Sequence, residues 1–337
     1  MHKQLFQNVK DILEKNYLIS KDQHILLIYD LKSLLSTLLT NAYQKAIQTY
    51  PHDIINFHGV DEEFILTKFQ NLPKRSLVIL VQSGSFRMTK HRLRADLFQQ
   101  GHMVIEHARL SFNDDNQIEN YINALNYDTP YYLKKCNKIA HLLQENKTIT
   151  VKSENNLTLT INSKYENPIK NTGDFSQNSN ASAGFPIGEI FTEAQELDKI
   201  NGQILVFATP TLEHHTFFTD PFIVTIKDGL LISHNGPDKF NEMLNIIRAE
   251  ENNKVQVREI GFGLNRALGF SKRLNEPTAF ERFAGLHFSL GMKHAMYRKK
   301  FDKDIVQKYH VDIFCLVDEI FIGNIKIFEK GEYLDKK

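Results

Sequence analysis

Five side chains in the second half of the chain are of the types that bind divalent cations: Glu189, Glu259, His287, His310 and Asp312. They lie in four short segments. His310 and Asp312 stand two apart in YHVDIFCLVD, and on a strand residues i and i+2 project from one face. An imidazole and a carboxylate so placed can meet one cation, and the apolar run from Ile313 to Val317 predicts a buried strand. Glu259, in VREIGFGLN, follows a β-branched stretch and precedes two glycines, which let backbone approach closely. A carboxylate in such an apolar strand is costly to bury unless it is paired or metal-bound. The alternative for Glu259 is an exposed strand position. His287, in ERFAGLHFSLG, sits in a strand of small residues, where a hydrogen-bonded core or surface histidine competes with a ligand. Glu189, in GFPIGEIFTEA, follows a turn flanked by Gly, Pro and Gly, and a turn acid facing water is its bland alternative.

Taken together, three carboxylates and two imidazoles near strand ends or turns suit zinc, cobalt, manganese or iron(II), and not a thiolate site. Spacing alone does not bring them to one point. Other constellations are weaker. VQSGSF (81–86) lacks the Gly-x-Ser-x-Gly pattern of a nucleophile elbow, no Gly-x-Gly-x-x-Gly follows a strand in the first half, and no phosphate loop occurs. His102, Glu106 and His107 read as ordinary residues at the end of a strand. His214 and His215 read as surface or hydrogen-bonded residues, and the mixed-charge run 296–304 as a solvated loop.

The elements that must position these residues form two contrasting halves. In the first, apolar runs such as HILLIYD (24–30), DIINFH (53–58), RSLVILVQSG (75–84) and MVIEHARL (103–110) alternate with helical periodicity. HRLRADLFQQ reads as a helix stopped by Gly101. This alternation predicts a mainly parallel sheet covered by helices. Two more helices, near 117–125 and 131–145, lead to a hairpin turning at Asn155-Asn156. The stretch from Ser163 to Gly184 is rich in Asn, Ser and Gly, and reads as a linker or active-site loop. The expected division is therefore an N-terminal α/β domain at 1–162 and a strand-rich α+β metal-binding domain at 163–337, within an α/β fold class.

Composition narrows the function classes. A length of 337 residues suits two domains. A net charge of +1, from 41 basic and 40 acidic residues, gives no electrostatic case for nucleic acid. The longest apolar run, 76–82, is far too short to span a membrane, and the charged N-terminal helix lacks signal-peptide features. The chain is expected in the cytoplasm, where the two cysteines, Cys136 and Cys315, would be buried small hydrophobes.

The order and wording of the four segments resemble the aminopeptidase T, or thermophilic leucyl aminopeptidase, family of metallopeptidases. GEIFT is similar to that family's motif around its first metal-binding glutamate. REIGFGLN resembles a segment whose glutamate is a ligand or general base, GLHFSLG one with a metal-binding histidine, and HVD the closing His-x-Asp pair. GHMVIEHARLSF and ENYINALNYDTPYYLKKCNKIAHLL also resemble family regions, so the likeness runs from about residue 80 onward. It implies a hydrolase that releases N-terminal residues from small peptides with one or two divalent metals, Glu259 acting as base. The family's catalytic tyrosine is replaced here by His294, with Tyr297 three residues further on; either is a candidate oxyanion donor. The GFGLN wording and compact length also resemble the related ring-cleaving 2,5-dihydroxypyridine dioxygenases, which hold a single iron. A non-catalytic binding protein is the third alternative. Expected partners are a small peptide or other small molecule, without nucleic acid or membrane, and a homodimer is compatible with the reading.

Overall fold

The structure, a computed structural model, describes residues 1–86, 93–175, 181–211, 213, 215–294, 297 and 309–335. It divides into two compact units. One comprises Met1–Thr129 with Gly173–Ile187, the other Pro130–Thr172 with Gly188–Lys337. The division expected between residues 162 and 163 is thus displaced. The physical reason is strand pairing: the hairpin 148–162 hydrogen-bonds into the sheet of the second unit.

In chain order the strands of the first half are β1 (Ile25–Tyr29), β2 (His52–Asn56), β3 (Leu77–Val81) and β4 (Met103–His107). Then come β5 (Thr148–Lys152), β6 (Thr158–Asn162), β7 (Ile169–Asn171), β8 (Ser182–Gly184) and β9 (Glu189–Glu193). The later strands are β10 (Ile200–Pro210), β11 (Thr216–Lys227), β12 (Leu230–His234), β13 (Val257–Gly263), β14 (Gly285–Gly291) and β15 (His310–Leu316). The chain closes with β16 (Glu319–Ile322), β17 (Ile325–Glu329) and β18 (Glu332–Tyr333). The helices are α1 (His2–Asp11), α2 (Leu34–Ala46), α3 (Glu62–Gln70), α4 (Leu93–Gln99), α5 (Ile118–Ala124), α6 (Thr129–Glu145), α7 (Asp238–Glu250) and α8 (Pro277–Phe280).

The first unit is built on a parallel sheet in the order β2-β1-β3-β4-β8. Its inner strands β1 and β3 are near-continuous apolar runs, as strands buried on both faces must be. Ile65 and Phe69 of α3 and Leu93 and Leu97 of α4 pack on Leu26, Ile28, Val78, Leu80 and Val104. Ser33 and Ser36 close a reciprocal capping box at the start of α2, satisfying donors that the first turn leaves unpaired. At the end of β4, His107 is fully buried between two phenols. Its Nε2 lies 2.7 Å from the Tyr43 hydroxyl and its Nδ1 2.9 Å from the Tyr121 hydroxyl, which donates to the Phe185 carbonyl. One neutral tautomer satisfies the chain: Tyr43 donates to Nε2, and Nδ1–H donates to Tyr121. Burial accordingly pushes the His107 pKa down to about 3. The reading of His107 as an ordinary strand-end residue is corrected: it is the centre of a buried polar chain.

The second unit is a 13-stranded sheet in the order β18-β17-β16-β5-β6-β10-β15-β14-β13-β9-β7, with β11 and β12 continuing from β10. All its pairings are antiparallel. Asn155 and Asn156 both adopt left-handed φ at the predicted β5–β6 hairpin, the conformation a two-residue turn requires. The stretch 163–184 is not a plain linker. It contributes β7 to the second unit and β8 to the first, and only 176–180 of it lie outside the described residues. Cys136 and Cys315 are free and buried. No helix among the described residues is long and apolar enough to cross a membrane.

Candidate metal centre

The five proposed ligands lie on four consecutive strands of the second unit, β9, β13, β14 and β15. Register explains how they share one face. Gly263 pairs with Glu189 and Gly261 with Phe191 across β9–β13; Gly261 pairs with His287 across β13–β14; Ser289 pairs with Asp312 and Gly291 with His310 across β14–β15. Cross-strand partners project to the same side of a sheet. Glycine at 261 makes the room: a Cβ there would fall 2.0 Å from His287 Nε2.

Glu259 stands on this face by alternation with Gly261 and Gly263, pairing with Glu193 across β9–β13, and an irregularity lies beside it on the β14 side. The β13–β14 register shifts between Val257 and Ile260, so that Arg258 and Glu259 together oppose Ser289. Such a bulge leaves a backbone donor without its ladder partner. The Ser289 hydroxyl takes that role, accepting from the Glu259 N–H at 2.9 Å.

The side chains converge as two sets that share Glu259. Ligand atoms of Glu189, Glu259 and His287 lie within 4.8 Å of one another, and so do those of Glu259, His310 and Asp312. His287 Nε2 stands 3.2 Å from Glu189 Oε1 and 3.5 Å from Glu259 Oε1, and His310 Nε2 stands 3.3 Å from Asp312 Oδ1. These contacts are close but poorly aligned. Glu259 Oε2, Asp312 Oδ1 and both His287 nitrogens are buried without a hydrogen-bond partner among the described residues. Buried polar atoms are normally paired, so this concentration of orphans needs a cause. A divalent cation is one: its ligands are acceptor lone pairs aimed at a common point, and the donor set of three carboxylates and two imidazoles fits one.

The electrostatics agree. Burial raises Glu259, and the charges of Asp312 and Glu189 add to that rise. Burial would also raise Glu189, but Arg282 and His287 outweigh it and hold the carboxyl below its usual range. Burial likewise opposes charge on Asp312, yet His310 leads the groups that bring it down to about 2. His287 and His310 are both pushed up to about 10, because the carboxylates around them outweigh burial. Each imidazole thus holds a proton where a cation could stand.

Two residues at this centre carry no signature recognised in the sequence. Arg282 donates to Glu189 at 2.8 Å and to Glu281 at 2.6 Å. Burial, with Asp312 and Glu189 beside it, lifts the Glu281 carboxyl well above its ordinary range, and it hydrogen-bonds Asp312. A charged pair wedged between Phe280 and Phe283 in TAFERFAG was the available clue. The two catalytic candidates near residue 294 part company. The His294 ring lies 5.6 Å from His310 and 4.8 Å from Phe191, centroid to centroid. The Tyr297 hydroxyl is spent on the carbonyls of Asn167 and Phe191, at 3.1 and 3.2 Å. Of the weaker candidates, Glu106 accepts from Gln82 and Arg94, while His214 and most of 296–304 lie outside the described residues.

No protein-family model matches the chain, and no curated protein matches it in sequence. Two solved structures share its fold. One is 2,5-dihydroxypyridine dioxygenase from Pseudomonas putida KT2440, with a TM-score of 0.65 and 13% identity, covering 100% of this chain and 99% of that one. The other is wild-type AmpT from Thermus thermophilus, with a TM-score of 0.59 and 11% identity, covering 98% and 99%. Both groups that the sequence motifs resemble therefore appear as structural neighbours. At such identity the likeness establishes the fold alone.

Proposed function

We propose that the second unit is a divalent-metal-dependent hydrolase acting on small amide substrates, with the amino end of a short peptide as the leading class. The observation that carries this reading is the convergence of five ligand-type side chains around Glu259 Oε2 and Asp312 Oδ1, both buried and unpartnered among the described residues. A cation held by Glu189, Glu259, His287, His310 and Asp312, whether zinc, cobalt or manganese, would polarise a carbonyl and acidify bound water. Glu259 is suited to accept a proton, because its surroundings raise its carboxyl pKa while one oxygen has no partner. His294, beside His310, is the candidate oxyanion donor. Tyr297 is less suited, its hydroxyl being engaged by backbone carbonyls.

The second reading is a mononuclear iron(II) dioxygenase. The centre supplies both donor types of a two-histidine, one-carboxylate iron site, His287 and His310 with Asp312, and the fold likeness to a dioxygenase favours this reading. Elemental analysis of anaerobically purified protein, followed by assays of amino-acid release from dipeptides and of oxygen uptake with dihydroxylated aromatics, separates the two. Amino-acid release that chelation abolishes and metal restores supports the hydrolase. Oxygen uptake dependent on iron, without peptide cleavage, would replace it with the oxygenase.

A further inference from the structure

The two ligand sets look symmetrical on paper, each with one histidine and two carboxylates sharing Glu259, yet their surroundings differ. In the first set, one oxygen of Glu189 is already paired with a protein cation. Oε2 is 2.8 Å from the Arg282 guanidinium and Oε1 is 3.2 Å from His287 Nε2. In the second set, Glu259 Oε2 and Asp312 Oδ1 have no hydrogen-bond partner among the described residues, although His310 Nε2 stands 3.3 Å from Asp312 Oδ1. Unpaired atoms occur in both halves, the His287 nitrogens in the first and Asp312 Oδ1 in the second, with Glu259 Oε2 shared, but the first half also contains a buried guanidinium.

Arg282 is fixed where it stands. Its side chain is 13% exposed, and it is held between the carboxylates of Glu189 and Glu281. Its backbone carbonyl accepts from the Asn265 N–H at 2.8 Å. The segment that carries it lies directly on Gly263, where a Cβ would come within 2.0 Å of the Phe283 carbonyl oxygen. Gly263 is also the cross-strand partner of Glu189. The glycine thus brings the guanidinium down onto the first carboxylate of the site. A guanidinium stays charged at any physiological pH, so a fixed positive charge occupies this half permanently.

We infer that the two sets are unequal: Glu259, His310 and Asp312 hold the tightly bound divalent cation, and Arg282 stands in for a second cation at Glu189. A second divalent ion in the Glu189–His287 half would sit against a buried guanidinium, where repulsion is only weakly screened.

This inference rests on the metal reading above, and the test keeps the two apart. Chelator-dialysed full-length protein is titrated calorimetrically with Mn2+, and separately with Zn2+. The expected result is one tight cation per chain, with any second at least about 100-fold weaker because of like-charge repulsion. Arg282→Met should tighten the second site toward the first, whereas Arg282→Lys, which keeps the charge, should leave the wild-type pattern. If the methionine variant loses its circular-dichroism spectrum, Arg282→Gln takes its place. His310→Ala should remove the tight site. Two cations of equal affinity in the wild type, or an unchanged second site in the neutral variants, would overturn the role of Arg282 while leaving a metal centre standing. Folded protein that binds neither metal would sink the metal reading itself, and this inference with it.

Discussion

His107 in the first unit and His287 in the second are both fully buried imidazoles at the ends or middles of β-strands, and they do opposite things. His107 lies between two phenols that give and take one proton each, so the neutral ring satisfies every partner and its pKa falls to about 3. His287 lies between two carboxylates that can only accept, so the ring is driven toward the charged form and its pKa climbs to about 10. Burial is the same in both cases. What differs is whether the neighbours complete a neutral hydrogen-bond chain or leave a hole for positive charge. The first arrangement is a structural tie; the second calls for a proton or a metal ion.

The largest effect should come from breaking the structural tie. His107→Ala strands the Tyr43 and Tyr121 hydroxyls in the core and leaves a cavity, which should cost about 3–5 kcal/mol of unfolding free energy. Urea denaturation measures it. Metal affinity should be unchanged in the folded variant. A stability loss below about 1 kcal/mol, the ordinary worth of one exchanged hydrogen bond, would mean that the phenols find other partners.

Next in size is Gly261→Ala, which attacks the other histidine without touching a ligand. The added methyl carbon would stand 2.0 Å from His287 Nε2, so the ring must move. Displacing a ligand from its supported orientation should weaken metal binding about 10- to 100-fold, read by calorimetry. Unaltered affinity would show that His287 lies outside the functional ligand set.

The pH response of the first unit is smaller. His107 has a folded pKa below its unfolded value of about 6.5, so the unfolded chain binds the extra proton as pH falls between the two. Stability contributed by the neutral ring is therefore present above about pH 6.5 and lost progressively down to about pH 3. Between pH 7 and pH 5 the loss should be about 2 kcal/mol. Comparing the wild type with His107→Gln isolates it: the variant should be less stable at pH 7 but lose about 2 kcal/mol less on acidification. Equal slopes would assign the acid sensitivity elsewhere.

How much of this was readable beforehand follows from the range of the forces involved. The alternation of apolar runs and helices in the first half forecasts a parallel sheet, because periodicity is a local signal. The i, i+2 spacing of His310 and Asp312 forecasts a shared face for the same reason. The domain division was displaced because β5 and β6 are a local hairpin whose allegiance is set by β10 and β16, far away in sequence. Strand β7 within 163–184 escaped notice because it is three residues long and depends on β9 for its hydrogen bonds. Arg282 was missed because a charge between two phenylalanines reads as helix surface until the fold lays it on Glu189. His107 was passed over because its partners, Tyr43 and Tyr121, come from separate helices.

The smallest predicted effect tests whether the Ser289 hydroxyl steadies the backbone at Glu259. The register shift leaves the Glu259 N–H without a strand partner, and the Ser289 hydroxyl supplies one at 2.9 Å. Ser289 is fully buried and is the cross-strand neighbour of Asp312, so its side chain shares the face of the ligands. Ser289→Ala keeps the volume nearly constant and removes only the acceptor. An unpaired buried N–H should cost about 1 kcal/mol of stability. If the hydroxyl fixes the bulge, the Glu259 carboxylate should also lose its aim, and metal affinity should fall several-fold in step. Ser289→Thr, which retains the hydroxyl, should restore affinity where the extra methyl is accommodated. A variant that loses the stability but binds metal as tightly as the wild type would reduce Ser289 to a patch in the ladder. The aim of Glu259 would then come from the regular β9–β13 pairing that sets it opposite Glu193.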